Sequence, residues 1–125
     1  MIADTTFVLD LINEWRRGRQ GPATALLYRA RASAIRLSAI TSGEISVVFA
    51  NATAARAWLD DWQIYPLHHG IVDTAADIDR ELIQRGRRLG ENDNWIAGFA
   101  RYYREPLISR DKAFDGVAGV RRVVY

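Results

Sequence analysis

The chain contains no cysteine, which removes disulfides, thiolate zinc centres and a Cys–His nucleophile pair from consideration. Histidine occurs only as the neighbours His68 and His69. Adjacent residues of an extended segment point to opposite sides, so a polar loop is their expected setting, not a shared metal. Lysine is nearly absent: of the 17 basic residues, all but Lys112 are arginine. No Gly-x-x-x-x-Gly-Lys phosphate loop occurs, and Arg85-Gly86-Arg87-Arg88-Leu89-Gly90 does not substitute for one. No apolar run reaches the roughly 20 residues that cross a bilayer. The opening Met1-Ile2-Ala3-Asp4 lacks a basic stretch followed by a long apolar one, so no signal peptide is expected. A cytoplasmic protein without a membrane segment fits these absences.

What is present suits one domain over residues 1–125: the chain is long enough to bury a core, and 49% of it is hydrophobic. Residues 1–4 read as a short buried strand, and Phe7, Val8, Leu11, Ile12 and Trp15 then recur at helical spacing up to Arg16-Arg17-Gly18, a basic-then-glycine stop. Pro22 can open a second helix with Leu26 and Leu27 inside. Ile35, Leu37 and Ile40 read as a strand, and a helix is expected from about Ser42 to Asn51. Thr53 can cap another helix, which holds Trp58 and Trp62. Ile64-Tyr65-Pro66-Leu67 reads as a strand, and Thr74 with Asp77 as a capping box opening a helix that ends near Gly90. Asp93 to Arg104 is expected as the last helix, followed by strands at Leu107-Ile108-Ser109 and Arg122-Val123-Val124. Strands alternating with helices predict an α/β fold, a single-domain parallel β-sheet flanked by helices.

In such sheets, sites form beyond the carboxyl ends of the strands. Four isolated acids stand at strand-to-helix transitions: Asp4, Glu44, Asp93 and Asp111. Each has an ordinary role open to it. Asp4 can cap the helix that follows, Thr41-Ser42-Gly43-Glu44 fits a capping box, Asn92 and Asp93 suit a helix start, and Asp111 suits a turn. If the four converge, two carboxylates about 5 Å apart repel by roughly 3 kcal/mol at an effective dielectric near 20. A divalent cation relieves this, and oxygen-only ligands favour Mg²⁺ or Mn²⁺. Asp115, four residues beyond Asp111, is a further candidate ligand, whereas Asp10 is expected to be solvated or to support the site from behind.

Arginines are grouped, among them Arg16 and Arg17, and Arg85, Arg87 and Arg88. Solvated helix ends account for such groups, and so does contact with the phosphates of a polyanion beside the acids. Trp58 and Trp62 share one helical face at i, i+4. Core packing is their default, and a partner groove the alternative.

The motifs, taken in order, resemble the PIN-domain family, and within it the small VapC-like toxins of toxin–antitoxin pairs. Ile2-Ala3-Asp4-Thr5-Thr6 before Val8-Leu9-Asp10-Leu11 is similar to the first motif, and Ile40-Thr41-Ser42-Gly43-Glu44-Ile45 to the second. Arg88-Leu89-Gly90-Glu91-Asn92-Asp93-Asn94-Trp95-Ile96-Ala97 resembles the third, and Leu107-Ile108-Ser109-Arg110-Asp111-Lys112-Ala113-Phe114 the fourth. Val117-Ala118-Gly119-Val120 before a last strand fits the family's ending, while residues 51–73 match least. The resemblance implies a Mg²⁺- or Mn²⁺-dependent endoribonuclease acting on RNA, usually a homodimer, with a cognate antitoxin covering the site. It makes Asp4, Glu44, Asp93 and Asp111 the catalytic acids, with Thr5 and Ser109 as supporting hydroxyls. Two alternatives stand beside it. One is a catalytically silent PIN-like RNA- or protein-binding module. The other is a receiver-type signalling domain, which needs a phosphorylatable aspartate after the middle strand and a lysine near the fifth; Asp73 and Lys112 serve these poorly.

Overall fold

Ile2–Ala3, the first strand (β1), lies at the centre of a five-stranded sheet. The computed structural model describes residues 1–31 and 34–125. Around β1 lie β2 (Arg36–Ser38), β3 (Ile64–Tyr65), β4 (Leu107–Ile108) and β5 (Arg122–Val123), in the order β3-β2-β1-β4-β5, with every pairing parallel. Among the described residues six α-helices connect them: α1 (Thr5–Arg16), α2 (Pro22–Ala30), α3 (Ala39–Ser46), α4 (Ala52–Leu59), α5 (His69–Gln84) and α6 (Glu91–Tyr103). The expected parallel α/β architecture is therefore what forms. Its strand order differs from the 2-1-3-4-5 order of receiver-type domains, which disposes of that alternative.

Alternation along the short strands places a core on each face of the sheet. Ala3 and Ile108 face one way, with Phe7, Val8 and Leu11 of α1, Leu26 of α2, Ile45 of α3 and Leu59 of α4. Ile2 and Leu107 face the other, with Ile71, Ile78 and Leu82 of α5 and Ile96, Phe99 and Ala100 of α6. On this second face α5 and α6 meet closely at Gly98, where an added Cβ would lie 2.9 Å from the Ala75 Cβ and 3.3 Å from Ala75 backbone atoms. Gly98→Val should therefore destabilise the fold by about 1–3 kcal/mol, as overpacking does. A thermal melt measures it, and an unchanged melting temperature would refute this packing account.

Several element boundaries differ from expectation, three of the helix starts because another residue caps first. Ser38, at the end of β2, accepts the Thr41 N–H at 3.0 Å. The third helix thus begins at Ala39 and ends at Ser46, not over 42–51; Ile40 belongs to it, and Glu44 lies in its second turn, outside any capping box. Asn51, not Thr53, caps α4 through the Ala54 N–H at 2.9 Å. His68 caps α5, its Nδ1 accepting the Gly70 N–H at 3.1 Å. Thr74 consequently sits inside α5 and donates to the Gly70 carbonyl at 2.7 Å. That helix stops at Gln84, ahead of Gly86 at φ +71°. The last helix starts two residues before Asp93, at Glu91 after Gly90.

The α1–α2 corner rests on Glu14, whose carboxylate accepts the N–H groups of Gly21, Ala23 and Thr24 at 2.8–3.0 Å. It serves the N-terminus of α2 from the neighbouring helix, where Gly21 offers no side chain. At the strands' N-terminal edge Glu105 gathers the Met1 ammonium (2.8 Å), Arg36 (3.3 Å) and the Tyr65 hydroxyl (2.5 Å). Burial and that carboxylate push the Tyr65 phenol up to about 12.

Candidate active site

Asp4 leaves β1 and enters α1, so the switch in strand order beside β1 puts it next to the end of β4. Asp4 as a residue is 4% exposed, and its Oδ1 accepts the Phe7 N–H at 2.7 Å, capping α1. The expected capping role is thus real, and it holds the carboxylate in a fixed rotamer. Burial raises the Asp4 pKa; hydrogen bonds from the Ser109 hydroxyl and the Phe7 amide pull it down, and the charges of Asp93 and Asp111 raise it, for a net upward shift. Ser109, fully buried at the end of β4, also accepts the Asp111 N–H at 3.0 Å. The Ser109 side chain therefore stands beside the first acid and is bonded to the backbone of the fourth.

Asp93 sits in the first turn of α6, a half-buried position where the helix dipole favours an anion. Its pKa is raised by burial, then by Asp111 and Glu44. Glu44 projects from α3 toward the same place. The Thr5 hydroxyl donates to one of its oxygens, and the Asn92 amide donates to the other at 2.8 Å. Asp111 caps a short 3₁₀ turn, Lys112–Phe114, by accepting the Ala113 N–H at 2.8 Å, the turn role its sequence position suggested.

Four distant acids thus share one electrostatic neighbourhood at the carboxyl edge of the sheet. Asp4 responds to Asp93 and Asp111, and Asp93 to Asp111 and Glu44. Among the described residues no three acidic or histidine side chains stand close enough together to form a ready-made metal cage. Asp4, Glu44 and Asp111 each accept hydrogen bonds from neighbouring groups, while the acids' charges oppose one another. Its donor chemistry, carboxylate oxygen without sulfur or imidazole, suits a hard divalent cation. Beside it lies an open depression of about 340 Å³ lined by Glu44, Gly90, Glu91, Asn92 and Asp93. Larger concavities lie elsewhere. One, of about 550 Å³ between α5 and α6, carries Asp79 and Arg88, which pair with each other at 2.8 Å. Another, of about 560 Å³, is walled by Trp15, Trp58 and Trp62. Neither is lined by any of Asp4, Glu44, Asp93 or Asp111, whereas Glu44 and Asp93 line the smaller depression.

Other sequence candidates are placed differently. Asp115 turns away: Arg122 grips its carboxylate with two hydrogen bonds, at 2.7 and 2.8 Å, and lowers its pKa. The reason is local, since β5 delivers Arg122 alongside the loop. Arg88 is engaged by Asp79, and Arg85 and Arg87 donate to backbone carbonyls of residues 113–116. Arg16 lies over the Phe49 ring at 6.0 Å, and Arg17 lines a concavity of about 420 Å³ together with Arg19 and Arg110. Trp58 and Trp62 lie with ring centroids 5.3 Å apart, tilted by 34°, and pack against the first core as their default role requires, while also walling the groove. His68 lies 3.3 Å from the Tyr103 hydroxyl, with its ring edge-on to Tyr102.

Thr5 and Ser109 stand beside the acids as the resemblance implied, but sequence reasoning missed other contacts. Asn92 orients Glu44 and does not cap α6. Asp10 is held by the Tyr125 hydroxyl at 2.7 Å and by Arg110 at 3.2 Å, with Arg110 over the Tyr125 ring at 4.3 Å. An asparagine beside the third acid was a visible signal; the pairing of Asp10 with the chain's last residue had none.

The PIN domain model matches residues 1–120. The chain belongs to the PIN domain family. No curated protein matches it. Solved structures with the same fold include VapBC2 from Rickettsia felis bound to a promoter DNA fragment, with TM-score 0.82, 17% identity, and coverage of 99% of this chain and 97% of that one. DNA-bound VapBC from Salmonella typhimurium also has TM-score 0.82 at 17% identity, covering 98% and 96%. VapBC-5 from Mycobacterium tuberculosis, a member of the VapBC family of toxin–antitoxin systems, has TM-score 0.60 at 27% identity, covering 73% and 82%. In this PIN domain all four acids of the ordered motifs lie at one end of the sheet. No helix among the described residues is long and apolar enough to cross a membrane.

Proposed function

We propose that this PIN domain is a metal-dependent endoribonuclease, the toxin of a toxin–antitoxin pair, hydrolysing RNA phosphodiester bonds. The observation that carries the reading is the convergence of the four acids: Glu44 is bonded to Thr5, next to Asp4, and to Asn92, next to Asp93, while Asp4 and Asp93, raised first by burial, are raised further by the charges of other acids of the set. Anions held at such cost to the unliganded state mark a site built to receive positive charge. The similarity to proteins solved as VapBC toxin–antitoxin complexes supports the toxin assignment.

Asp4 and Asp93 would hold the ion directly, Mg²⁺ or Mn²⁺, and Glu44 and Asp111 would position the attacking water or a second ion. When bound, the ion acidifies water and polarises a phosphoryl oxygen. Thr5 and Asn92 keep Glu44 aimed at the site, and Ser109 steadies Asp4 while fixing the start of the Asp111 turn. Arg16 and Arg17 are the proposed phosphate contacts on the approach. Arg85, Arg87 and Arg88 have guanidinium N–H groups committed within the protein, so their contribution to RNA is at most secondary. A homodimer, a cognate antitoxin over the acids and a cytoplasmic setting complete the proposal.

The test is cleavage of a structured RNA by the purified protein. Cleavage should need Mg²⁺ or Mn²⁺, stop with a chelator and return with excess metal. Cleavage that persists in chelator removes the metal from the proposal. Absence of cleavage with either ion, alongside retained RNA binding, leaves a silent binding module in its place.

A further inference from the structure

The loop that carries Asp111 is fastened from two sides by arginines. Arg87, in the connection between α5 and α6, donates one Nη to the Ala113 carbonyl at 2.5 Å and the other to the Asp115 carbonyl at 3.1 Å. Arg85 donates to the Gly116 carbonyl at 2.9 Å. From the sheet side, Arg122 reaches the Ser109 carbonyl at 3.3 Å and grips the Asp115 carboxylate. The Asp111 carboxylate is itself bonded to the Ala113 N–H at 2.8 Å, so a shift of Ala113 moves the acid. The connection that bears Arg87 continues through Gly90 directly into the first turn of α6, where Asp93 stands. Arg87 is thus the physical link between the segments carrying the third and fourth acids.

We infer that Arg87 is a positioning residue: its fork across the Ala113 and Asp115 carbonyls sets the spacing of Asp111 from Asp93, and so the affinity of the acidic site for a divalent cation. The inference rests on the metal-dependent reading above. A planar guanidinium with paired donors holds two carbonyls in fixed relation, which an ammonium cannot do. The fold itself leans on other groups. Phe114 and Val117 are buried in the second core and anchor the loop from beneath, so loss of Arg87 loosens the turn around Asp111 without removing its seat.

The sign of the effect separates positioning from charge. Removing a cationic side chain near a cation site should tighten metal binding if only the field matters. If positioning matters, binding weakens. The experiment is calorimetric titration of the full chain with Mn²⁺, without RNA, for wild type, R87Q, R87K and the charge control R80Q, whose exposed arginine pairs with Asp77 at 2.6 Å. R87Q is expected to weaken Mn²⁺ binding by about 10-fold, the lower end for groups that orient metal ligands. R87K should fall between it and wild type, R80Q should match wild type, and amide exchange at Ala113 and Asp115 should accelerate in R87Q. Mn²⁺ affinity in R87Q equal to or tighter than wild type overturns the inference. Should R87Q not fold, R87K decides by the same criterion: weaker binding supports positioning, and unchanged binding refutes it. Failure of wild type to bind Mn²⁺ overturns the metal reading and this inference with it. Wild-type binding with unaltered variants overturns this inference alone.

Discussion

Asp4→Asn should leave a folded protein that has lost RNA cleavage. The expected drop in rate exceeds the roughly 10- to 100-fold typical of groups that merely support a metal site, because Asp4 is proposed to bind the ion itself. The fold should survive for a specific reason. The Asp4 Oδ1 caps α1 through the Phe7 N–H, and an asparagine carbonyl accepts that bond equally well. Asp4→Ala discards the cap as well and should cost about 1 kcal/mol of stability besides activity. Comparing cleavage rates and thermal melts of the two variants separates the roles. Wild-type cleavage by the asparagine variant would remove Asp4 from the catalytic set.

Asp93→Asn should make the metal-free protein more stable at neutral pH and insensitive to added metal. Burial, Asp111 and Glu44 raise the Asp93 pKa in the folded chain, and burial with Asp93 and Asp111 raises that of Asp4. A raised acid binds its proton more tightly folded than unfolded. Its folding contribution is therefore gained as pH falls through the folded value and lost as pH rises past it. Glu14 and Glu105 have the opposite sign: their pKa values are lowered, by backbone N–H groups at Glu14 and chiefly by the Met1 ammonium and Tyr65 at Glu105. Their contribution is present above the unfolded value of 4.5 and lost as pH drops through the folded one. Metal-free stability should accordingly decline toward neutral pH as the site acids ionise, and fall again in strong acid as Glu14 and Glu105 take up protons. Metal should reverse the neutral-pH deficit in wild type, by about 2.7 kcal/mol at 100 times its dissociation constant, and do little in Asp93→Asn. Melting curves from pH 4 to pH 8, with and without Mn²⁺, check both halves. A metal-free wild type whose stability keeps rising through neutrality, or an Asp93→Asn variant stabilised by Mn²⁺ as wild type is, would refute the account of the site.

The alternation of strands and helices was legible because each buried segment keeps its own period. Phe7, Val8, Leu11 and Ile12 are all buried on α1, as their spacing requires. The helix starts were less legible, since capping is decided by whichever suitable side chain is free at the strand's end. Ser38 pre-empted Thr41, and His68 pre-empted Thr74. The four acids were visible as isolated charges at element boundaries, and that placement depends on local chain order alone. What each arginine does was not visible. Arg87 read as a solvated or phosphate-facing charge and Arg122 as the start of a strand, yet both serve carbonyls of a loop distant in sequence.

From the sequence came the parallel α/β class, the ordered set of four acids and the absence of any thiol or lysine-loop chemistry, because residue type and short-range periodicity encode these directly. Tertiary structure alone decided that the strand order brings β1 and β4 side by side, so that Asp4 meets Ser109 and Asp111, and that Asp115 is lost to Arg122 while Asn92 is gained for Glu44. Those outcomes turn on contacts between residues far apart in the chain, and such contacts are selected by packing the whole sheet at once, not by anything a local pattern carries.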